Sequence, residues 1–355
     1  MSNIYEKNSV FFGENGFKKL NKFVLKNEYS STIVLVDSNT NRDCLSYLKS
    51  RLKFNFKTIC IEAGEEFKNI HTCLKVWQTL SDLGADRKTL LISLGGGVVT
   101  DTGGFVASCY KRGISFIHIP TTLLGMVDAS IGGKNGVDMN NLKNQIGVIR
   151  PPEMIIIDSV FLQTLPDNQI KSGYAEIIKH GLIHAESEDY FYDCIKLNNF
   201  DPENVKSLIK ESVSIKLNIV ELDVNEQGLR KSLNYGHTLG HAVESYRMTL
   251  DKSQHLLHGE AIAIGLILET YISQKIFGFP KNKLIDLKNF IKTIYPMPHF
   301  KKTEQDTIID FMKHDKKNLG GNINFVLLED IGKPVLDCKV ENELIYDAFD
   351  FYHHS

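Results

Sequence analysis

Short hydrophobic runs alternate with amphipathic stretches between about residues 30 and 160. The runs lie at Thr32–Val36, Thr58–Ile61, Thr89–Leu94, Phe116–Ile119 and Met154–Ile157, and a helical pattern at Asn69–Leu83 separates the second run from the third. This alternation of β-branched runs with helical patterns predicts βαβ units and a mainly parallel sheet that is covered by helices. Ligands of such sheets bind at the carboxyl ends of the strands.

After Pro166 the strand pattern gives way to helical patterns, at Gln169–Ala185, Pro202–Val220, Arg230–Ser245, Gly259–Ile276 and Asn282–Ile294. The stretch Ala261–Leu268 is apolar on every side, which predicts a buried helix. Asn322–Leu328 and Pro334–Val340 predict a late hairpin. The expected fold is therefore a Rossmann-like α/β domain with a parallel sheet in residues 1–165, followed by a mostly α-helical domain in residues 166–355.

The composition is that of an ordinary globular protein. The chain has 355 residues, 42% of them hydrophobic and 24% charged, so it is long enough for two packed cores. Its formal net charge is -2 and it has no block of like charges, which argues against nucleic acid or a membrane as a partner and favours a small molecule. No stretch resembles a signal peptide or a membrane span, and the six cysteines form no CxxC pair, so we expect a cytoplasmic protein with reduced thiols.

Three glycines, Gly95 to Gly97, follow the strand TLLISL directly. Glycines there let backbone N–H groups approach a phosphate, and a helix that begins near Asp101 would direct its positive dipole end at the same anion. The pattern differs from GxGxxG, and the alternative is a tight turn from strand to helix. Asp37 ends an earlier strand, and Glu65 and Lys68 follow the next. These loop charges at successive strand ends favour NAD or a similar dinucleotide.

The stretch Pro120 to Gly147 combines charged residues with glycines and small apolar residues. It offers one carboxylate and several donors, a supply that suits a polyhydroxylated phosphate ester, at Asp128, Lys134, Lys143 and Asn144. The alternative is a solvated surface. The spacing of the charges among apolar residues favours a partly enclosed site.

His237 and His241 stand four residues apart in the sequence LNYGHTLGHAVE, on one face of a predicted helix. As an isolated pair they are more typical of packed core histidines than of metal ligands. Glu176 in SGYAEIIKHG and His258 in LLHGEAIAIG would complete a His2Glu zinc site with an open position. Glu176 and Lys179 are alternatively a surface ion pair. Nearby groups that could hold a carboxylate or phosphate are Lys216, Arg230 and Asn234.

Between Asp37 and Lys317 the chain resembles the 3-dehydroquinate synthase family, the cyclases of the shikimate pathway in aromatic amino acid biosynthesis. The resemblance is carried by a series of motifs in one order, GGGVVTD, PTTLLGMVD, GGK, LKNQIG, AEIIKHG, GLRKSLNYGHTLGH and HGE. Each motif alone is weak, whereas the ordered series is specific.

The resemblance implies a role for each matching position. Residues 1–165 would bind NAD+ through Asp37, Glu65, Lys68, Gly96, Gly97, Val98, Asp101, Thr121, Thr122, Leu124, Phe161 and Thr164. Residues 166–355 would bind zinc, or cobalt in its place, through Glu176, His237 and His258. The substrate would be surrounded by Asp128, Lys134, Lys143, Asn144, Lys179, Lys216, Arg230, Asn234, His241 and one of Lys316 and Lys317, with Arg112 supplied by the other subunit of a homodimer.

The implied reaction converts 3-deoxy-D-arabino-heptulosonate 7-phosphate to 3-dehydroquinate. Similar enzymes oxidise one hydroxyl transiently with bound NAD+, eliminate phosphate, return the hydride and close the ring by an intramolecular aldol step. His237 would then be a metal ligand, and His241 a proton carrier or a phosphate contact. Two departures from the family pattern are Asn135, where many relatives have threonine, and Asn168–Gln169, where Arg-Glu is usual.

Three other functions compete with this one. Another sugar-phosphate cyclase, with an aminated or valiolone-type product, is disfavoured by the presence of Lys216, Arg230, Asn234 and His241 together. A metal-dependent alcohol or glycerol-phosphate dehydrogenase would release NADH and would not need the lysine cluster. A non-enzymatic binding module would have no use for a combined metal, acid-base and cation set.

Overall fold

The computed structural model describes residues 10–139, 142–184, 188–197, 202–312 and 323–354. The chain divides into two compact units. The first unit is Met1–Pro166 with Asp201–Lys206, and the second is Asp167–Phe200 with Ser207–Ser355.

The first unit is built on a parallel sheet, which has six strands within the described residues, in the order β1-β8-β5-β4-β2-β3. These strands are β1 (Val10–Phe12), β2 (Ser31–Asp37), β3 (Lys57–Ile61), β4 (Thr89–Gly95), β5 (Ser115–Pro120) and β8 (Met154–Ile157). The five predicted strands and the parallel sheet are confirmed. The sequence pattern missed β1, because three half-buried residues at the sheet edge carry no periodicity.

Helices surround this sheet, and a hairpin leaves it. The helices are α1 (Gly13–Asn27), α2 (Ser38–Asp43), α3 (Leu45–Arg51), α4 (Ile70–Asp82) and α5 (Gly97–Cys109). Short 3-10 helices cover Glu65–Phe67, Tyr110–Arg112 and Ser159–Thr164, and a π-helical turn covers Gly125–Ala129. The antiparallel hairpin of β6 (Lys134–Met139) and β7 (Leu142–Ile149) packs against α5.

Burial explains why the strands of this sheet read as unbroken hydrophobic runs. Strand β4 is buried along its whole length, as expected where helices cover both faces of a parallel sheet. One side of the sheet packs Ile33, Leu35 and Leu91 against Val76 of α4 and Phe105 of α5. The helix α5 was expected to begin near Asp101, but it begins four residues earlier, directly after Gly96, because the glycine turn is shorter than assumed.

The second unit is mostly helical, as predicted. Its elements are α6 (Asp167–Ile183), α7 (Asp189–Ile195), α8 (Pro202–Leu222, which belongs to this unit from Ser207 on), α9 (His237–Met248), α10 (His258–Phe277), α11 (Lys281–Ile294), α12 (Lys302–Met312), β9 (Phe325–Leu328), β10 (Pro334–Cys338) and α13 (Asn342–His353), with 3-10 helices at Leu229–Asn234 and Lys252–Gln254. The buried helix α10 and the antiparallel hairpin of β9 and β10 confirm two predictions. Among the described residues no helix has the length and apolarity to cross a membrane.

One helix prediction in this unit is wrong. The pattern Arg230–Ser245 predicts a single helix, whereas the structure has a 3-10 helix at Leu229–Asn234 and then α9. The break is at Gly236, whose φ of 76° is left-handed and incompatible with a continuing helix. Arg230 is therefore not on the same helix as His237.

Candidate functional site

Three histidines converge at the starts of two packed helices in the second unit. His237 is the first residue of α9, His241 follows one turn later, and His258 is the first residue of α10. Their ring centroids are 5.1 to 5.7 Å apart, and one nitrogen from each ring lies within 4.8 Å of the others. The two helices thus bring together groups that can ligate a metal ion.

Glu176 of α6 faces this cluster with a buried carboxylate. Its Oε1 lies 3.4 Å from Nε2 of His237 and 3.7 Å from Nε2 of His258. The side chain is completely buried, yet neither of its oxygens accepts a hydrogen bond from the described part of the chain. The ammonium of Lys179, one turn along α6, lies against Oε2. Because both residues are buried, they are not the surface ion pair that the sequence left open.

The outer nitrogens of two of the histidines are held by neighbouring acceptors. Nδ1 of His237 lies 3.0 Å from the carbonyl oxygen of Tyr235, and Nδ1 of His258 lies 3.2 Å from Oε2 of Glu244. Since a carbonyl oxygen can only accept, Nδ1 of His237 carries the proton and its Nε2 presents a lone pair to Glu176. Metal-binding histidines commonly have such acceptors behind them.

The charge state of the cluster follows from burial and from these contacts. Burial alone would raise the pKa of Glu176, but Lys179 and His237 hold that pKa well below its ordinary value. Burial and the nearby Lys179 ammonium lower the pKa of His237 to about 3. Burial alone would lower the pKa of His258, but the nearby carboxylates of Glu176 and Glu244 raise it to about 9. The cluster therefore keeps an ionised carboxylate beside a neutral His237, the form in which both bind metals.

Sequence reasoning missed Glu244 as part of this cluster. The residue is buried on α9, seven residues after His237 and therefore on the same face of the helix. That spacing was available from the sequence. What was missing was the packing of α10, which brings His258 to Glu244.

The other candidate substrate residues of the second unit lie on α8 and in the turn before α9. Lys216 on α8 is buried. Arg230 is 2% exposed and donates from Nη1 to the carbonyl oxygen of Val224 over 2.7 Å. Asn234 donates from Nδ2 to Oε1 of Glu226 over 3.0 Å. Lys316 and Lys317 lie outside the described residues.

In the first unit, the glycine turn brings the end of β4 close to the segment after β5. A Cβ atom on Gly96 would lie 2.8 Å from Cγ2 of Thr122, so only glycine fits there. Gly96 is the N-cap of α5, and it has no side chain to cover the N–H groups of Gly97 and Val98. Thr121 is buried behind the turn and donates its N–H to the carbonyl oxygen of Gly95. The turn has the geometry of an anion site.

Lys68 gathers two other candidate residues around one buried ammonium. Its Nζ lies 2.6 Å from Oδ2 of Asp101 and 2.6 Å from Oδ1 of Asn144. Burial acts to lower the pKa of Lys68, but the carboxylates of Asp101 and Glu65 outweigh burial and raise it, so the side chain stays a cation. Lys143 pairs with Glu65 at 3.6 Å. Lys68, which lies just before α4, thus forms an ion pair with α5 and a hydrogen bond with strand β7.

The remaining candidates of the first unit are placed separately. Asp37 ends β2 and caps α2 by accepting the N–H of Thr40 over 2.7 Å. Asp128 lies in the π-helical turn, a feature frequent at functional sites. Thr122 and Leu124 are partly exposed just before that turn. In the 3-10 helix Ser159–Thr164, Phe161 is buried and Thr164 is exposed. Lys134 is exposed at the start of β6, and Arg112 is exposed after α5 with a left-handed φ of 69°.

Asn135, one departure from the family pattern, fastens the base of the β6–β7 hairpin. Its Nδ2 donates to the carbonyl oxygens of Gly133 at 2.9 Å and Arg150 at 2.8 Å, so its Oδ1 is left as an acceptor for Nε2 of His118 at 3.4 Å. The other nitrogen of His118 has no hydrogen-bond partner among the described residues. Burial lowers the pKa of His118 to about 4. Asn135 thus links the strand of Lys134 to the central sheet through a neutral histidine.

The lowered pKa of the buried His118 predicts that the stability of the protein changes with pH. An unfolded histidine has a pKa of ~6.5, so between about pH 6.5 and pH 4 the unfolded chain binds a proton that the folded chain does not. We expect the free energy of unfolding to fall by about 2 kcal/mol from this residue as the pH drops from 7 to 5. Urea unfolding of His118→Gln, which keeps a donor for Asn135, should show that much less pH dependence than the wild type. The same substitution at the exposed His71 is the control, and equal pH dependence in His118→Gln and the wild type would contradict the prediction.

Comparisons with known proteins identify the family. The N-terminal model of 3-dehydroquinate synthase matches residues 58–172, and the C-terminal model matches residues 173–318. The 3-dehydroquinate synthase of Parabacteroides distasonis is 43% identical over 341 residues, covering 95% of both chains. That of Leptospira interrogans is 40% identical over 324 residues, covering 88% of this chain and 86% of the relative.

A solved structure supports the same grouping. The crystal structure of 2-deoxy-scyllo-inosose synthase in complex with carbaglucose-6-phosphate, NAD+ and Co2+ superimposes with a TM-score of 0.82 at 26% identity. It covers 96% of this chain and 95% of its own. With both family models matched and relatives of 40% and 43% identity over 88% and 95% of its length, this chain belongs to the 3-dehydroquinate synthase family.

Proposed function

We propose that this chain is a 3-dehydroquinate synthase, a lyase that converts 3-deoxy-D-arabino-heptulosonate 7-phosphate to 3-dehydroquinate and inorganic phosphate. The observation that carries the proposal is the cluster of Glu176, His237 and His258, with Lys179 buried against it. It occurs in a chain that is 43% identical to a curated 3-dehydroquinate synthase. A metal centre beside a buried cation suits a reaction that develops negative charge next to a ketone.

The residues of the cluster fit a divalent metal ion. The buried oxygens of Glu176 accept no hydrogen bond from the described residues, and Nε2 of His237 and of His258 face one of them. These three residues would hold zinc, or cobalt in its place, and the ion supplies a Lewis acid for the reacting hydroxyl and ketone oxygens. The Co2+ complex of the structurally similar 2-deoxy-scyllo-inosose synthase supports the presence of a divalent metal ion, and the choice of these three ligands rests on their geometry.

The first unit has the features of an NAD+ site. The glycine turn at Gly96 and Gly97 leaves the first N–H groups of α5 available to a pyrophosphate, and Asp37 stands at the carboxyl end of a neighbouring strand. When bound, NAD+ would supply a reversible hydride acceptor for the transient oxidation of the substrate. The contacts would come from Asp37, Glu65, Lys68, Gly96, Gly97, Val98, Asp101, Thr121, Thr122, Leu124, Phe161 and Thr164.

Residues of the second unit bind the acid group of the substrate and move protons. His241 lies within one helical turn of His237, with its ring 5.1 Å away, where it can carry a proton to or from the substrate. The ammonium of Lys179 offsets the charge that develops when a proton leaves the carbon beside the ketone. Arg230 and Lys216 bind the carboxylate, and Asn234 supplies an amide beside them. One of Lys316 and Lys317 adds a further cation.

In the first unit, Asp128, Lys134, Lys143 and Asn144 are proposed to contact the hydroxyl and phosphate groups of the substrate. Arg112 is exposed on a strained turn, and we propose that it serves the other subunit of a homodimer. The proposed setting is the cytoplasm.

The experiment that tests this function is a phosphate-release assay with the heptulosonate phosphate, run with and without NAD+ and a metal chelator. We expect release that needs both NAD+ and metal. Release from glucose 6-phosphate in place of the heptulosonate phosphate would instead favour a related sugar-phosphate cyclase, to which the structure is also similar.

NAD+ should be required without being consumed, because the hydride returns before the product leaves. During turnover the absorbance of reduced nicotinamide should stay flat while phosphate accumulates. A build-up of NADH in proportion to product would identify a dehydrogenase and contradict the proposal.

A further inference from the structure

Glu269, in the middle of α10, caps the helix that carries His237. Its side chain is completely buried. Oε2 accepts the N–H of Gly236 over 2.8 Å, and Oε1 accepts the N–H of Leu239 over 2.9 Å. The N-cap position of α9 is Gly236, which has no side chain with which to cap the helix itself. A carboxylate from another helix therefore fills the place of the missing cap.

Glycines let the two helices approach closely enough for this contact. A Cβ atom on Gly265 of α10 would overlap the carbonyl oxygen of Gly236, and one on Gly240 of α9 would lie 2.9 Å from Cδ1 of Ile262. Glu269 follows Gly265 by four residues and thus lies on the same face of α10. A buried carboxylate is costly unless it is hydrogen-bonded, and here two N–H donors at the positive end of a helix compensate it.

This contact bears directly on the orientation of His237. His237 lies between the two residues whose N–H groups Glu269 accepts, and its Nδ1 is oriented by the carbonyl oxygen of Tyr235. The hydroxyl of Tyr235 is in turn 2.6 Å from Oγ1 of Thr270, the residue after Glu269. Two adjacent residues of α10 thus fix the turn on which the imidazole is mounted.

The same helix also begins with His258. Eleven residues separate His258 from Glu269, a rise of about 16 Å along a rigid helix. Helix α10 therefore presents one candidate ligand from its first residue and holds the backbone of another from its middle. The distance between the two imidazoles depends on both contacts.

We infer that Glu269 is a positioning residue of the metal centre, which sets the orientation of His237 by capping α9. The inference rests on the proposed function of the cluster as a metal site. It predicts that metal affinity depends on Glu269 even though the residue does not touch the metal. Groups that orient metal ligands from behind typically change affinity 10- to 100-fold when they are replaced.

The test is the zinc affinity of Glu269→Gln, measured by competition with a chromophoric chelator on the full chain. Glutamine keeps the shape but presents an NH2 group to one of the two N–H donors, so one hydrogen bond is lost. We expect affinity about 10- to 100-fold weaker than that of the wild type. The matched control is Tyr190→Phe, which removes a buried hydrogen bond from α7 to the carbonyl oxygen of Leu208 on α8 and leaves Glu269, Tyr235 and α9 unchanged. It should lower the melting temperature and leave zinc affinity unchanged.

The possible outcomes distinguish the role of Glu269 from the proposed metal centre. Wild-type zinc affinity in a folded Glu269→Gln protein would overturn the inference alone. A wild-type chain that binds no zinc would overturn the metal centre and the inference with it. An equal loss of affinity in Tyr190→Phe would show a general effect of instability and would also overturn the inference. If Glu269→Gln does not fold, Glu269→Asp decides by the same criteria, since it keeps the charge but is too short to reach both donors.

Discussion

His237→Ala and His258→Ala should each lose tightly bound zinc and, with it, turnover. Each substitution removes one of the three proposed protein ligands, and a site left with two ligands cannot hold the ion against water and chelators. His241→Ala should retain the metal and lose activity, because the proposed role of His241 is to carry a proton. Metal analysis of the purified variants after dialysis against a chelator measures the first effect, and phosphate release measures the second.

Any two of the three histidines could be the ligands on distance alone, because one nitrogen from each ring lies within 4.8 Å of the others. What favours His237 and His258 is Glu176, whose Oε1 lies 3.4 and 3.7 Å from their Nε2 atoms. A zinc-free His241→Ala protein would refute this division of roles. The control is His255→Ala, which alters an exposed histidine just before α10 and should change neither zinc content nor activity.

The parts of the fold that the sequence predicts are those with strong periodicity. Strands β2, β4 and β5 are buried on both faces, so their residues form hydrophobic runs that cannot be mistaken for loops. The hairpin of β6 and β7 went unpredicted because its charged, small and apolar residues follow no regular period of two. The helix break before α9 depends on one left-handed glycine, and the helical spacing of the apolar residues continues across Gly236 with no proline to mark the break.

The candidate site divides in a similar way. His237, His241, Glu176 and Lys179 can be grouped from the sequence, because helical spacing relates each pair within its own helix. Glu244 and Glu269 could not be assigned, because their roles arise only where α9 packs on α10 through glycines. Spacing within one helix is readable in a sequence, whereas the contact between two helices depends on their packing.

Arg230→Ala should cost on the order of 2–5 kcal/mol in kcat/KM while zinc and NAD+ binding stay unchanged, as expected for the loss of a desolvated charge pair. The structure alters the reasoning behind this prediction, since Arg230 lies on a 3-10 helix before the break at Gly236 and not along the face of α9. Contacts with the segment that precedes it help to fix its position instead. The backbone N–H of Arg230 donates to Oδ2 of Asp223 over 3.1 Å, and its side-chain Nη1 donates to the carbonyl oxygen of Val224.

The guanidinium is buried, and its planar fork of N–H donors matches the geometry of a carboxylate. The adjacent Lys231 provides the matched control. It pairs with Asp337 at 2.8 Å in a partly exposed ion pair, and Lys231→Ala should change kcat/KM by less than about 1 kcal/mol. Arg230→Lys should recover only part of the loss, since an ammonium cannot bind a carboxylate bidentately. Wild-type kinetics of Arg230→Ala with the heptulosonate phosphate would remove Arg230 from the site and, with it, the main reason to choose a substrate that carries a carboxylate.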